Sequence, residues 1–599
     1  MYIGNWIFII LVLISFVGLY KIFQKTGRTA WKAFVPFLNF YEWIKLLERP
    51  WWWVFLMIVP GVNILMYSVL TVITAQYFGK RKGMDLTIAA FFSYLYLLPL
   101  GFSDDKFVGI EDIKNRKGGF IKTWLDPLVF AIIAASVIRT FFLEAFTIPT
   151  SSLEKSLMVG DFLFVNKFAY GAKTPQTPLS FPFAHHTIPI INKKSYLEWI
   201  KLPYYRLPGY STIKNGDIVV FNYPDGDSVA LNYQNFSYYQ LVREIAREQK
   251  NAYAGDSAML ASISEASLLS SSRDYVWSNP KQFGEVVARP KDKREHYVKR
   301  CVAIAGDKLE IKDGELFIND TKQAFPEKVQ HHYYVKTKGY LFGQQTVVNK
   351  EPVLSNGVLL DKYDIYVTEG NVAAENGDTI VYELNMPRDV SEKIKENPEV
   401  ISVTRKIEGK DLRDERIFPH NRNYKWNNDN FGPFTLPKAG ATVKIDTASV
   451  ALYKKIMNTY DDGNHMIEIK GDKVFYDGIP ITSYTFKQDY YWMMGDNRHN
   501  SADSRSWGVV PFDHVVGKPV FVWFSMKDPK NNPVSGTGLL GSLFKNSKEG
   551  KFRWERFFTF VGDKGLSSSY FIHFLVIVAG WWGIAKYLKK RKAKKEASK

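Results

Sequence analysis

The sequence has 599 residues, with 78 Lys plus Arg against 60 Asp plus Glu, and therefore carries a net charge of +18. Hydrophobic residues make up 46% and aromatic residues 16% of the chain, which excludes a disordered or collagen-like protein. A single cysteine, Cys301, excludes an intramolecular disulfide framework and a metal site built on several thiolates. A chain of this length is expected to form about four structural units.

Five apolar blocks lie near the two ends of the chain, and each is a candidate membrane span. At about 1.5 Å of rise per residue, a helix of about 20 apolar residues crosses the hydrocarbon core of a bilayer. The first block precedes its basic residues, which is not the order of a cleavable signal peptide. The blocks are residues 3–23, 51–78, 86–102, 124–146 and 570–588.

Lys and Arg residues mark the flanks of these blocks that are expected to be cytoplasmic. They follow the first block, precede the fourth and fill the C-terminal tail, so the polar middle of the chain is predicted to lie outside the membrane. Lys80, Arg81 and Lys82 conflict with single crossings by the second and third blocks. Two short re-entrant hairpins would remove the conflict, and both arrangements stay open.

The basic surplus of the tail is explained by membrane anchoring. Residues 586–599 contain eight Lys or Arg and one Glu, and no nucleic-acid-binding motif accompanies them. We therefore expect no nucleic-acid partner.

Alternation of apolar and polar residues predicts half-buried β-strands over residues 161–166, 216–221 and 297–302. Residues 309–318 and 467–476 each place a Gly-Asp or Asp-Gly pair between two alternating runs, which predicts two β-hairpins. Their similarity is compatible with an internal duplication or with chance. A helical insertion is predicted at about 225–290.

A hydroxyl-rich turn directly follows the fourth apolar block. Its sequence, IPTSSLEKS, runs from Ile148 to Ser156, and Pro149 stiffens the chain at its start. Such a turn can hold a nucleophile at the bilayer surface. Taken alone, it is also compatible with an ordinary serine-rich juxtamembrane turn.

A serine nucleophile needs a base, and the ten histidines form no convincing Ser-His-Asp arrangement. A neutral lysine takes that role in Ser-Lys catalysis. Lys299 is the candidate because it lies in a predicted strand, YVKRCVAIA, that continues into apolar residues. The alternative is an ordinary lysine on a solvated strand face.

Residues 494–508 combine glycines, amides, hydroxyls and opposite charges, which is typical of an ordered hydrogen-bond cluster. A surface turn and a calcium loop are the alternatives. Arg498 and Arg505 oppose cation binding, and the acidic spacing does not match a helix-loop-helix calcium site.

Taken in order, these segments resemble the bacterial type I signal peptidases, the Ser-Lys endopeptidases that remove signal peptides from exported proteins. The resemblance rests on the segments IPTSSLE, GDIVVFNYP, YVKR and GDNRHNSADSR, which begin at residues 148, 216, 297 and 495. It does not cover the first 110 residues, nor clearly the insertions at 225–290 and 325–460. It implies a membrane-anchored, mainly-β fold: an antiparallel β-sheet peptidase domain with insertions, and transmembrane helices at both ends.

The resemblance implies that Ser152 is the nucleophile and Lys299 the general base, acting through an acyl-enzyme without a metal or cofactor. Burial can lower the pKa of a lysine enough for it to accept the serine proton. Thr150 matches the hydroxyl that, with the backbone N–H of Ser152, would form the oxyanion hole.

The resemblance also implies supporting roles. Ser501 matches a residue that orients the lysine, and Asp503 with Arg505 matches a salt bridge. Shallow apolar pockets that suit Ala-X-Ala cleavage sites are expected at Ile148, Leu153, Leu157 and Val298.

The expected partners are preproteins that carry signal peptides and the lipid bilayer, with a secretion translocon as a further candidate. The resemblance places the protein in the bacterial cytoplasmic membrane, multi-pass, with the catalytic domain on the outer face and the tail in the cytoplasm. We expect the insertions to lie at the domain rim and to leave the dyad untouched.

The predicted domains follow from the motifs and the apolar blocks. They are a multi-span membrane region (1–110), a cytoplasmic linker with a transmembrane helix (111–146), a catalytic β core (147–320), an inserted β-rich subdomain (321–485), the rest of the core (486–566), and a transmembrane helix with a basic tail (567–599).

Two other functions are considered. A soluble Ser-Lys self-cleaving repressor, or a related protease, is opposed by the five apolar blocks and by the lack of a recognisable DNA-binding module. A non-enzymatic membrane binding or assembly protein with a peptidase-like domain is opposed by the presence of both Ser152 and Lys299.

Overall fold

The structure is a computed structural model of the whole chain, which forms two compact units. It describes residues 3–80, 82–108, 126–188, 191, 193–234, 237–252, 264–324, 326–343, 345–348, 351–354, 358–363, 365, 370–376, 379–461, 463, 465–526, 552–562 and 565–597.

The first unit comprises residues 1–144, 171–209 and 286–294 and is mainly helical. Its apolar helices bury a common core that includes Leu19, Trp43 and Leu70. The α-helices are Ile3–Lys25, Leu38–Leu46, Trp53–Ile58, Val62–Tyr77, Gly83–Phe91, Ser93–Phe102 and Asp126–Val137, followed by a π-helical turn at Ile138–Phe142. Short elements are the 3-10 turns Ala30–Phe34 and Lys291–Lys293 and the strands Thr187–Ile188, Lys193–Lys194 and Val286–Ala288.

Two glycines allow the first helix of this unit to pack closely on the helix Ser93–Phe102. A Cβ atom at Gly18 would lie 2.4 Å from the carbonyl carbon of Leu97, and one at Gly101 would lie 2.6 Å from the carbonyl oxygen of Gly18. Such distances leave no room for a side chain. The contact therefore requires glycine at both positions.

Within the described residues, two helices have the length and apolar composition of a membrane span. They are Ile3–Lys25 and the Phe571–Leu588 part of the helix Phe571–Ala597. They coincide with the first and the fifth predicted blocks. Whether either helix crosses a bilayer stays a prediction.

The other three predicted spans are shorter or interrupted in the structure. The second block is divided at Gly61, whose φ of 84° breaks the helix, and the third is divided at Phe92. The prediction of a span that continues to Phe146 is wrong at its C-terminal end. Residues Leu143–Thr147 are a strand there, because their backbone pairs with the neighbouring strand Asp161–Asn166.

The second unit comprises residues 145–170, 210–285 and 295–599, and a nine-stranded, mainly antiparallel sheet forms its centre. The strand order is β1-β2-β7-β3-β4-β5-β6, with β8 paired to β7 and β9 paired to β8. The strands are β1 (Leu143–Thr147), β2 (Asp161–Asn166), β3 (Ile218–Asn222), β4 (His296–Ala303), β5 (Tyr490–Met494), β6 (Val510–Pro511), β7 (Val515–Ser525), β8 (Thr559–Gly562) and β9 (Gly565–Leu566).

The strands predicted from alternation are present, and β2 alternates between buried and half-buried residues as predicted. The prediction that β3 is half-buried is wrong, because every residue of this strand is buried. Val219 and Phe221 pack into one apolar cluster, whereas Ile218 and Val220 pack into another. Strand β3 is therefore covered on both faces of the sheet.

Between β4 and β5 the chain forms an inserted β-rich region with smaller sheets. Both predicted hairpins are confirmed: residues 308–318 turn at Asp313 and Gly314, which both have positive φ, and residues 467–476 turn at Gly471. The strands are Lys308–Lys312, Glu315–Ile318, Thr321–Lys322, Gln330–Lys338, Gln345–Val348, Glu351–Leu354, Gly370–Asn376, Thr379–Pro387, Val400–Arg405, Phe431–Thr435, Thr442–Lys444, Ile467–Lys470, Lys473–Tyr476, Ile479–Ile481 and Ser483–Thr485. The helices are Val358–Tyr363, Arg388–Lys395 and Val450–Lys455.

The predicted helical insertion between β3 and β4 is also present. It contains the helices Tyr238–Ala252, Glu265–Ser278 and Pro280–Phe283, and a short strand, Ser228–Ala230, precedes them. Residues 235–236 and 253–263 of this prediction lie outside the described residues.

The four-stranded sheet that contains Gln330–Lys338 and Thr379–Pro387 offers a test of its apolar core. Leu384 is fully buried, whereas Ile401 in the strand Val400–Arg405 of the same sheet is 52% exposed. We expect Leu384→Ala to lower the free energy of unfolding by about 3 kcal/mol through lost burial and a residual cavity. Ile401→Ala should change it by about 0.5 kcal/mol or less. Denaturant unfolding of both variants tests this, and equal losses would contradict the assignment of the core.

Candidate active site

The hydroxyl-rich turn joins β1 to β2. Backbone hydrogen bonds from Ile148 N to Asp161 O and from Gly160 N to Ile148 O, each 2.9 Å, fix the two ends of the turn. After an extended Thr150, a 3-10 turn over Ser151–Leu153 brings Ser152 inward, where it is 7% exposed. The turn therefore presents a buried hydroxyl at the edge of the sheet.

Lys299 approaches this hydroxyl from β4. In the register of the sheet it pairs with Val219 of the fully buried strand β3, and the lysine is only 2% exposed. Its Nζ hydrogen-bonds to the Oγ of Ser152. The structure thus brings the two residues together across 147 positions of sequence, and the alternative of a solvated lysine is excluded.

Burial governs the protonation of this amine. Loss of hydration lowers the pKa of Lys299 from its ordinary value near 10.5 to about 8, while Asp503 acts to raise it and Arg505 to lower it. A substantial fraction of the amines is consequently neutral near pH 8. A neutral amine beside a serine hydroxyl can accept its proton, which is the chemistry of acyl transfer by a serine nucleophile.

Asp503 and Arg505 form a buried bidentate ion pair. The Nε of Arg505 donates to Asp503 Oδ1 at 2.9 Å and its Nη2 donates to Oδ2 at 2.8 Å. Asp503 also accepts the backbone N–H of Gly495 at 3.0 Å, and Arg505 lowers the pKa of the Asp503 carboxyl against the effect of its burial. The pair thereby holds the start of the loop that begins at Gly495.

Gly495 lies where this loop passes between Ser152 and Ser501. A Cβ atom at Gly495 would lie 2.2 Å from Ser501 Oγ and 2.6 Å from the carbonyl oxygen of Ser152. Glycine is therefore required for the close approach. The Oγ of Ser501 is buried and makes no hydrogen bond within the described part of the chain, so no bond from it to Lys299 is present.

Thr150 is an exposed residue directly before the 3-10 turn, and its side chain does not cap that turn. Whether its hydroxyl stabilises an oxyanion stays a prediction.

The four residues expected to line substrate pockets belong to one apolar cluster. Ile148, Leu153 and Leu157 are buried in it, and Val298 is partly buried against it. Ile148, Leu153 and Leu157 all lie between β1 and β2, so the cluster anchors the hydroxyl-rich turn. Of the four side chains, only Val298 retains substantial exposure.

A second buried ion pair was not predicted from the sequence. Arg300, next to Lys299, donates from Nε to Asp496 Oδ1 at 2.8 Å and from Nη2 to Oδ2 at 2.6 Å. Asp496 also accepts the hydroxyl of Ser156 at 2.6 Å. The only sequence signal was the alternation of β4, which points Arg300 away from Lys299 but names no partner for it.

The C-terminal end of the hydroxyl-rich turn is held by Asp161, which the sequence also did not identify. Its carboxylate accepts the N–H of Met158 at 2.8 Å and the hydroxyl of Ser525 at 2.6 Å. Arg556 donates from Nε to the same carboxylate at 3.0 Å and from Nη2 to the carbonyl of Ser156 at 3.1 Å. The turn is therefore fixed by charged groups at both ends.

Asn497 connects the loop to the backbone of the turn. Its N–H donates to the carbonyl of Ser152 at 3.1 Å, and its Nδ2 donates to the carbonyl of Ser151 at 3.3 Å.

Within the described residues, no group of three His, Cys, Asp or Glu side chains is placed to hold a metal ion.

Comparison with protein families gives two matches. Residues 121–236, 243–376 and 438–524, which are more than half of the chain, match the family described as signal peptidase, peptidase S26. Residues 31–110 match a family of unknown function.

Individual relatives agree with the first match. The signal peptidase I of Helicobacter pylori strain 26695 is 23% identical over 455 residues, which cover 74% of this chain and 92% of the relative. The signal peptidase I of Buchnera aphidicola subsp. Baizongia pistaciae is 22% identical over 400 residues, or 66% and 74% of the two chains. The signal peptidase I of Aquifex aeolicus is 44% identical over 63 residues, or 10% and 24%.

The buried ion pair between Asp503 and Arg505 gives a prediction about stability. Asp503→Asn leaves the Arg505 charge buried without its counter-ion, and we expect it to lower the free energy of unfolding by about 3 kcal/mol. Asp320→Asn is the matched control, because Asp320 pairs with Lys308 at the exposed surface. Its melting temperature should equal that of the unaltered protein. Thermal unfolding compares the two variants, and an unchanged melting temperature for Asp503→Asn would contradict the prediction.

Proposed function

The chain belongs to the signal peptidase family, peptidase S26, and we propose that it is a membrane-anchored signal peptidase I that cleaves signal peptides from exported preproteins after small residues. The observation that carries this proposal is the contact of the buried Lys299 amine with the Ser152 hydroxyl. The four ordered sequence segments and the match over more than half of the chain support it.

In the proposed mechanism, Ser152 attacks the scissile carbonyl carbon while the neutral amine of Lys299 accepts the hydroxyl proton. When the tetrahedral intermediate collapses, the C–N bond breaks and Lys299 delivers the proton to the leaving amine. The signal peptide is then esterified to Ser152. Water attacks this ester with Lys299 again as the base, which releases the carboxylic acid and restores the hydroxyl.

The negative charge of the intermediate requires donors at the hydroxyl-rich turn of residues 148–156, which is the nucleophile turn of the proposed mechanism. We assign this role to the backbone N–H of Ser152 and the exposed hydroxyl of Thr150, which immediately precedes the 3-10 turn. One such donor contributes about 3 kcal/mol to stabilisation of the transition state in other proteases. Because Asp503 lies among the charges that act on Lys299, its ion pair with Arg505 is proposed to tune the base.

The proposed location is the bacterial cytoplasmic membrane, with the peptidase domain on the outer face and the C-terminal tail in the cytoplasm. Two apolar helices and the distribution of basic residues support this topology. Ser152 follows the apolar segment that ends at Phe142 by only ten residues of sequence. A membrane-held preprotein would therefore meet the site with much of its orientation already fixed. Lipids and a secretion translocon are the further proposed partners.

Cleavage of a preprotein with an Ala-X-Ala site tests the proposal. We expect the detergent-solubilised protein to cleave it, and Ser152→Ala and Lys299→Ala each to reduce the rate by about 1,000-fold or more, because each removes one reacting group. Ser151→Ala is the matched control, since within the described part of the chain that hydroxyl accepts from Asn500 at 3.0 Å and makes no hydrogen bond with Lys299. It should retain activity within about threefold.

Each variant should first be shown to be folded by its melting temperature. Cleavage that persists in folded Ser152→Ala or Lys299→Ala would contradict the assigned roles. An unaltered protein that binds the preprotein without cleaving it would instead favour a membrane binding or assembly function.

The lowered pKa of Lys299 predicts how activity depends on pH. Only the neutral amine accepts a proton, so kcat/KM should rise about tenfold per pH unit below pH 8 and level off above it. The Ser151→Ala control should show the same profile. Measurement of kcat/KM from pH 6 to pH 10 checks this, and a value that does not change between pH 6 and pH 8 would contradict a lysine base.

A further inference from the structure

The inserted region between β4 and β5 contacts the loop of residues 495–500. The N–H of Gln330 donates to the carbonyl of Asp496 at 2.8 Å, and the N–H of Arg498 donates to the carbonyl of Gln330 at 3.0 Å. These bonds form a parallel bridge between the insertion and the loop. Our expectation that the insertions lie only at the domain rim is therefore wrong for this one.

The same loop contacts the insertion through His499. The N–H of His332 donates to His499 Nδ1 at 3.3 Å, and His499 Nε2 lies 3.4 Å from an Asp429 carboxylate oxygen. Both partners belong to the insertion. The loop is thus held by the insertion on one side and by the buried ion pairs of the catalytic sheet on the other.

Asn385 makes the contact that leads most directly to the nucleophile turn. It lies in the strand Thr379–Pro387, is buried, and donates from Nδ2 to Asn497 Oδ1 at 2.8 Å and to Gln330 Oε1 at 3.2 Å. Asn497 in turn donates from Nδ2 to the carbonyl of Ser151 and from its backbone N–H to the carbonyl of Ser152. A continuous chain of hydrogen bonds therefore runs from the insertion to the two residues of the turn.

The direction of the Asn497 amide depends on this contact. A side-chain amide has a donor end and an acceptor end, and the donor from Asn385 fixes which end faces Ser151. Without that donor, the long bond of 3.3 Å to the Ser151 carbonyl is left to orient the Asn497 amide, and the Ser151 carbonyl is held less firmly. The two buried ion pairs nearby hold the loop at Gly495 and Asp496.

We propose that Asn385 is a positioning residue that acts through Asn497 to hold Ser152 in line with Lys299, so that the insertion completes the active site. This inference rests on the proposed peptidase function. Asn385 lies in residues 377–437, a segment outside the match to the family model. The positioning contact is therefore supplied by a part of the chain that the family match does not account for.

Steady-state kinetics of Asn385→Ala, assayed well below its melting temperature, test the proposal. We expect kcat for preprotein cleavage to fall about tenfold while KM changes less than about twofold, because the geometry of attack is disturbed and substrate contacts are not. Asn397→Ala is the matched control: the side chain of this half-buried asparagine of the same insertion accepts the N–H of the nearby Glu399 at 3.1 Å and makes no hydrogen bond to the loop of residues 495–500. It should leave kcat unchanged.

A double-mutant cycle separates positioning from a general structural effect. If Asn385 acts through Asn497, adding Asn385→Ala to Asn497→Ala should lower kcat no further. Independent, multiplying losses would overturn the proposal. If Asn385→Ala does not fold, Asn385→Asp is the second variant, because it keeps the side-chain volume but its carboxylate cannot donate. The same loss of kcat is expected for it, and an unchanged kcat would overturn the proposal.

The controls also distinguish this inference from the proposed function. An active unaltered protein with an unchanged kcat in Asn385→Ala overturns the positioning role alone. An unaltered protein that does not cleave the preprotein overturns the peptidase function and the positioning role together.

Discussion

The exclusion of water from the Lys299 amine is the physical constraint on which the proposed activity depends. An exposed lysine would be protonated at neutral pH and could not accept a proton from serine. The structure meets this constraint by pairing β4 with β3, a strand covered on both faces, and by closing the nucleophile turn over the amine. Because the amine contacts Ser152, the burial that lowers the pKa of Lys299 also places its amine beside the hydroxyl.

Burying a base in this way requires that its surroundings be rigid and electrically balanced. Arg300 with Asp496 and Arg505 with Asp503 are both bidentate and buried, so each charge beside the lysine is matched by a partner. These pairs hold the loop that begins at Gly495 against the nucleophile turn, where a side chain would not fit. The inserted region adds hydrogen bonds to the same loop. The insertion therefore helps to fix the loop that lies against the site.

Local patterns in the sequence predicted much of this arrangement. Alternation located β2 and the core of β4, Asp-Gly and Gly-Asp pairs located both hairpins, and the resemblance singled out Ser152 and Lys299. Other features depend on contacts between distant parts of the chain. The partner of Arg300 is 196 residues away, β3 is covered by residues from several segments, and no local signal distinguishes Asn385 from an ordinary strand asparagine. The domain boundaries and the number of membrane crossings stay predictions.

Rapid-quench mass spectrometry during turnover of a preprotein most directly tests the central claim that Ser152 is the nucleophile activated by Lys299. The protein would be quenched in acid at millisecond intervals, digested, and searched for a peptide that carries an ester. We predict that the signal-peptide acyl group is found on Ser152 before the free signal peptide accumulates, and that Lys299→Ala prevents its formation. An ester on a different side chain, or active turnover in which Ser152 carries no acyl group at any time, would contradict the claim.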